Sequence, residues 1–174
     1  MSTWHIDSVH SEIGFKVKHL MVSTVRGSFG TFTGGITSGD DSFAGGKIEF
    51  SLDVSSISTK DVQRDGHLLS PDFFDAAQFP KIDFVSTEVK KIDDKKLEIK
   101  GNLTMHGVTK EIVLDVELGG ISKGMDGKRV SGFDVKGKID RKDFGLTWNA
   151  ALETGGVVVG EVVDLEAFIE AKEE

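Results

Sequence analysis

Five histidines, a scatter of serines and 29 acidic residues are the groups from which this 174-residue chain could build a reactive centre. His5, His10, His19, His67 and His106 never stand three or four residues apart, so no helical turn presents a metal-binding pair. His10 and Glu12 share one strand face in an extended reading, but nothing nearby in sequence completes a ligand set. There is no cysteine, which excludes disulfides, thiol catalysis and thiolate-held zinc or iron–sulfur centres. Tyrosine is absent too, and neither a Gly-x-Ser-x-Gly elbow nor a phosphate-binding glycine loop occurs. The acid pairs Asp40-Asp41, Asp93-Asp94 and Glu173-Glu174 fall where turns or a chain end would solvate them. The expectation is a protein that is not an enzyme, with no catalytic residue, metal or cofactor.

The aromatic residues carry more information. Phe15, Phe50, Phe84 and Phe133 lie on separate extended segments, each on the apolar parity, and Phe29, Phe74, Phe79, Phe144 and Trp148 join them from turns and an irregular stretch. Such residues either fill a small barrel or line a cavity for an apolar ligand. Gly101 and Gly137 on the same parity would leave space, which favours the cavity.

The elements that hold these residues follow from a period of two. Ile13, Phe15 and Val17 alternate with polar neighbours, as do Ile48 to Val54, Leu97 to Met105, Ile112 to Leu118 and Phe133 to Ile139. Further strands are expected over 28–37, 81–89 and 157–169. One buried and one wet face per strand implies antiparallel sheet, and about eight long strands suit a barrel. Asp93-Asp94, His106-Gly107 and the stretch 124–127 read as tight connections, so neighbours in sequence pair in an up-and-down order. A helical insert is expected at about 58–78: one piece capped by Ser58 or Thr59 and running to Leu69, and a second started by Ser70-Pro71-Asp72. Residues 170–174, rich in glutamate, read as a solvated tail, and the whole of 1–174 as one domain.

The formal net charge of -8 disfavours nonspecific attraction to nucleic acid or anionic membrane. No run approaches the roughly 18 apolar residues of a spanning helix. The opening Met1-Ser2-Thr3-Trp4-His5 has no basic, apolar and cleavage regions of a secretory leader, so the expected compartment is the cytoplasm, or the periplasm if a leader has been removed.

Six blocks then make the chain recognisable: Ile6 to Phe15, His19 to Phe29, Gln63 to Asp75, Leu103 to Lys110, Ile139 to Asn149 and Leu152 to Gly160. In this order they resemble the signature blocks of the YceI-like polyisoprenoid-binding family, across almost the whole chain. The resemblance implies an all-β fold, an extended eight-stranded antiparallel lipocalin-like barrel with a short helical insert. It implies a non-enzymatic protein that carries or stores a long-chain isoprenoid lipid, such as a polyisoprenoid or isoprenoid quinone, and it includes members that are homodimers.

On this basis the expected channel wall is Phe15, Val17, Phe50, Leu52, Phe84, Leu103, Met105, Phe133 and Val135, with Phe74, Phe79, Phe144 and Trp148 lining or closing an end. His19, Arg26, Arg64 and His67 are candidates for meeting a polar head, against a reading in which they pair with carboxylates such as Asp65 and Asp72. The cluster Asp140 to Asp143 reads as a charged turn. Two other readings stay open: an enzyme acting on an apolar substrate, which needs His106 or His19 beside an acid inside the channel, and a filled barrel with a stress-related role in protein contacts.

Overall fold

The half-wet alternation folds into a single antiparallel sheet closed on itself. In the computed structural model, described for residues 1–153 and 155–174, the strands are β1 Ser2–Ile6, β2 Glu12–His19, β3 Ser23–Phe29, β4 Phe32–Ser38, β5 Lys47–Asp53, β6 Ile57–Ser58, β7 Lys81–Lys91, β8 Lys96–Met105, β9 Val108–Lys123, β10 Arg129–Asp140 and β11 Val159–Glu173. Three successive pairs act as single bent strands. β1 and β2 both line up along β11; β4 pairs with β1 and β5, while β3 pairs with β2 and β6. Counted that way the barrel has eight antiparallel strands in up-and-down order. His106-Gly107 turns β8 into β9 with φ of 55° and 73°, the left-handed pair that matches hairpin twist. Outward positions such as Lys16, Asp115, Glu117, Lys136 and Lys138 are polar while the inside is apolar, the reverse of a lipid-embedded barrel.

The first strand bends at a 3₁₀ turn, Ser8–His10, and charge holds the corner. The Asp7 carboxylate accepts from the Val9 N–H at 3.0 Å and lies 3.0 Å from His10 Nδ1, with Lys172 Nζ at 3.3 Å. The His10 contact foremost lowers the Asp7 pKa from 3.8 to about 2, and the same contact raises that of His10. A depressed carboxylate pKa contributes stability above the unfolded value that is lost as pH falls through the folded one. Asp7→Asn is therefore expected to unfold more easily than wild type at about pH 5, with the gap closing by about pH 2. Thermal unfolding across that range checks it; a gap that stays constant would mean the ionised carboxylate is not the source.

One end of the barrel is plugged. Trp4, fully buried, meets the Phe43 ring edge-on at 5.4 Å, and Phe43 meets Phe133 at 5.0 Å. Arg129 lies over the Trp4 ring at 5.4 Å and reaches Asp41 at 2.6 Å and Glu173 at 3.3 Å. Residues 170–173 are therefore not a solvated tail. They complete β11, with Trp4 opposite Glu173 and Ala171 fully buried opposite Ile6; Glu170 and Lys172 take the outer face, and Glu173, on the parity of Ala171, is held by Arg129.

The other end carries the insert and the segment that follows β10. Helix α1 spans Val62–Leu69 and is capped by Asp61, which accepts from the Arg64 N–H at 3.1 Å, rather than by Ser58 or Thr59. The expected second helical piece is a run of turns. The N–H groups of Phe74 and Ala76 donate back to Leu68 and Leu69, and Asp75 takes a φ of 49°, so the chain doubles under α1 instead of continuing. No helix among the described residues is long and apolar enough to cross a membrane.

Candidate functional site

Between the two ends lies a cavity of about 270 Å³. That is nearly twice the ~150 Å³ of an engineered apolar cavity that stays dry and takes up benzene. The barrel is thus not filled, which removes the main support for the filled-barrel reading. The lining extends from Ile36, Phe43 and Phe133 near the plug to Leu68, Phe73, Phe74 and Leu146 beneath the insert, and nearly every lining residue is apolar.

The structure brings Phe15, Val17, Phe50, Leu52, Phe74, Phe84, Leu103, Met105, Phe133 and Val135 to this wall. Three of the expected residues lie elsewhere. Phe79 packs against His106, ring centroids 5.0 Å apart, at the outside of the hairpin turn. Phe144 is buried in the 3₁₀ turn after β10 but outside the lumen. Trp148 meets His67 edge-on at 4.8 Å and Phe73 at a tilt at 5.3 Å, clasping the segment after β10 to the insert. Phe29, singled out among the aromatics but not among the wall residues, also lines the cavity, and sequence reasoning missed Ile6, Phe43, Phe73 and Ile99 among others. Ile99 keeps the parity of its strand and was within reach; Phe43 sits at φ 60° in a glycine-rich loop that reads as exposed.

The inward glycines do not leave voids, contrary to the expectation for Gly101 and Gly137. A Cβ on Gly27 would sit within the ring of Phe15, its direct partner across β2 and β3. A Cβ on Gly101 would lie 2.7 Å from Phe84 Cε2, and one on Gly137 would lie 2.6 Å from Leu114 Cδ2. The large side chains thus fold sideways onto neighbouring glycines instead of projecting at the axis. The lumen stays open because the rings lie along its wall.

The four head-group candidates are not gathered together. Arg26 pairs with Lys16 on the outward parity and faces away from the lumen. Arg64 donates from Nε to Thr59 Oγ1 at 2.8 Å and from Nη2 to the Thr59 carbonyl at 2.9 Å, and Thr59 in turn donates to Asp65 at 2.6 Å. His67 lies 2.9 Å from Asp72 inside the aromatic clasp. His19 ends β2 beyond Val17, the last lining residue of that strand. His67 thus pairs with a carboxylate, whereas Arg64 is tied to Thr59 and not to Asp65.

Among the described residues two charged side chains border the cavity: Glu166, half-buried and 3.5 Å from the Lys16 ammonium, and Arg141, buried in the turn after β10. Arg141 is 3% exposed. Its Nε donates to the Gly160 carbonyl at 2.8 Å, Nη1 to Leu146 at 2.7 Å and Trp148 at 2.9 Å, and Nη2 to Val159 at 3.4 Å. Burial pushes the guanidinium pKa down from its ordinary value, though an arginine stays charged. The turn-fixing role expected for this cluster is met: Asp140 caps the turn, Lys142 pairs with Glu161 at 2.6 Å, and Arg141 ties the segment to β11.

No histidine lines the cavity among the described residues. His106 lies 3.0 Å from the Phe144 carbonyl at the rim, so the histidine–acid pair required by the enzyme reading is not assembled. His10 is not on a strand face with Glu12 but in the corner turn, where Asp7, His10 and Glu170 bring ligand atoms within 4.8 Å of one another. The Lys172 ammonium, 3.3 Å from Asp7, supplies positive charge to that cluster from the protein itself.

Comparison with known proteins agrees with this architecture. A family model described as the YceI-like domain matches residues 4–171. A UPF0312 protein of Staphylococcus aureus is 43% identical over 171 residues, 98% of this chain and 97% of that protein. The crystal structure of the Campylobacter jejuni YCEI protein superposes with a TM-score of 0.76 at 36% identity, covering 97% of this chain and 96% of that one. A polyisoprenoid binding domain from Saccharophagus degradans shares the fold at 15% identity, with a TM-score of 0.70 over 98% of each chain.

Proposed function

The chain belongs to the YceI-like family, and from that premise we propose that it binds a long-chain isoprenoid lipid, a polyisoprenoid or the tail of an isoprenoid quinone, and carries or stores it without chemical change. The observation that carries this reading is the almost wholly apolar lining that runs from the plug to the insert. The fold shared with a polyisoprenoid binding domain supports it. Each methylene-sized unit moved from water into such a channel is worth about 0.8 kcal/mol. A prenyl chain therefore gains affinity along its length with few polar contacts, and rings lying against the wall can turn to admit a longer chain.

Phe50, half-buried on β5, is the point at which to test it. Wild-type protein incubated with geranylgeraniol should show a one-to-one lipid adduct in native mass spectrometry. Phe50→Glu should lose that adduct while keeping the circular dichroism of a folded barrel, because an unpaired carboxylate in an apolar wall repels the chain or draws in water. A folded variant that holds the lipid as well as wild type would overturn the proposal.

A further inference from the structure

The hairpin between β2 and β3 turns on residues that ordinarily avoid such a place. Leu20 and Met21 take φ of 52° and 62°, and the Val22 N–H donates to the His19 carbonyl at 3.2 Å. Two left-handed residues in succession suit asparagine and glycine, whereas leucine and methionine there are strained by their own Cβ atoms. The turn is apolar as well as strained. Leu20, Met21 and Val22 are 40%, 62% and 83% exposed, three large side chains in a row. The Leu20 N–H donates to the Val158 carbonyl at 2.8 Å and Met21 leans on Gly156, so the turn is held in place while most of its apolar surface stays bare. Strain stored in a bare apolar turn is the kind of feature kept for contact with another surface.

The strands that carry this turn are basic on their outer face. Lys16 on β2 lies directly opposite Arg26 on β3, and Lys18 lies opposite Thr24. Like charges placed opposite one another weaken a sheet. Lys16 has Glu166 at 3.5 Å, but among the described residues no carboxylate comes within 4.0 Å of Lys18 or Arg26. In a chain of net charge -8 this is positive charge left without internal compensation, and it lies just behind an apolar tip.

We propose that the β2–β3 hairpin is a docking surface for an anionic lipid bilayer, with Leu20, Met21 and Val22 entering the headgroup layer and Lys18 and Arg26 facing the lipid phosphates. Apolar side chains followed by cations match the order of layers that a bilayer presents, and their two contributions add. Three side chains are too few to anchor the barrel, so the contact is reversible. The net negative charge turns the other faces away, which makes the approach oriented. His19 at the base of the turn pairs with Val159, where β11 leaves the segment after β10, so the bilayer meets the end of the barrel opposite the Trp4 plug.

Flotation with vesicles, in the absence of any prenyl lipid, tests this. Wild type should rise with vesicles of equal phosphatidylcholine and phosphatidylglycerol, stay behind with phosphatidylcholine alone, and be released by salt. Lys18→Gln and Arg26→Gln should each weaken binding about fivefold. Leu20→Asn combined with Met21→Gly supplies the residues that the turn prefers. That variant should melt no lower than wild type while binding vesicles about tenfold or more weakly. Val22→Asp, at the most exposed of the three positions, should lose binding to a similar degree with its fold intact. Wild type that binds both compositions equally would overturn the proposal, as would wild type that ignores the anionic vesicles, which would leave the tip to a protein partner. So would either tip variant, folded, that floats as wild type does. With no cargo present, none of these outcomes bears on the isoprenoid reading.

Discussion

Trp4→Ala is expected to lower the free energy of unfolding by about 3–5 kcal/mol, the range for emptying a large aromatic site in a packed core. Trp4 has no exposed surface and sits where the barrel closes, on a strand whose pairing with β11 extends over only Trp4, His5 and Ile6. Its loss removes the partner of Phe43 and the ring beneath Arg129. Arg129 keeps Asp41 and Glu173, so no charge is stranded, and the cost is packing. Against a total of about 5–15 kcal/mol for a domain, that loss removes a large share of the stability. Urea unfolding followed by far-ultraviolet circular dichroism measures it without relying on the two tryptophans as reporters. A loss below about 1 kcal/mol would show that the plug does not hold the seam, since it would match an ordinary surface change rather than a core cavity.

The second large effect concerns binding, not stability. Gly27→Leu places a side chain where the Phe15 ring now lies, and the ring must swing toward the axis. The strand itself tolerates the change, because glycine weakens a strand interior by roughly 0.5–1 kcal/mol and only the far end of one flexible ring is displaced. The lumen pays instead. Displacing two methylene-sized contacts with the lipid costs about 1.6 kcal/mol, somewhat more than tenfold in affinity. Titration with geranylgeraniol should show this loss in a variant as stable as wild type. Gly39→Leu, at an exposed turn where a Cβ meets nothing within 4 Å, serves as the control and should bind normally. Unchanged affinity in Gly27→Leu would mean that the lipid does not pass Phe15.

The barrel was legible because an antiparallel strand with one wet face writes its geometry directly into alternation, as in Phe133, Val135 and Ile139 on β10. The same rule shows where it stops being informative. Parity separates inside from outside, but it does not separate lumen from rim, so Phe79 and Phe144 read as wall although one covers a turn and the other fills the turn after β10. Local capping signals around Ser70 fit a helix and a turn equally well. The turn prevails because Phe73 and Phe74 must reach the lumen, a tertiary demand absent from the local pattern. Residues 170–173 looked like a tail because their charges were visible and their partners, Asp7 and Arg129, were distant in sequence. Arg141 was hidden for the same reason. In a run of four charged residues it reads as solvated, and its four acceptors are backbone carbonyls, which no residue pattern announces.

The first and last strands are each other's partners, and this sets an order of events in the cell. While the chain emerges from the ribosome, each new hairpin can form as soon as it is made, but the ring stays open until β11 is out. Until then the nascent sheet has two bare edges and an apolar concave face, the combination that invites misassociation. A closed lumen therefore exists only once the last strand has been made and has paired with the first two.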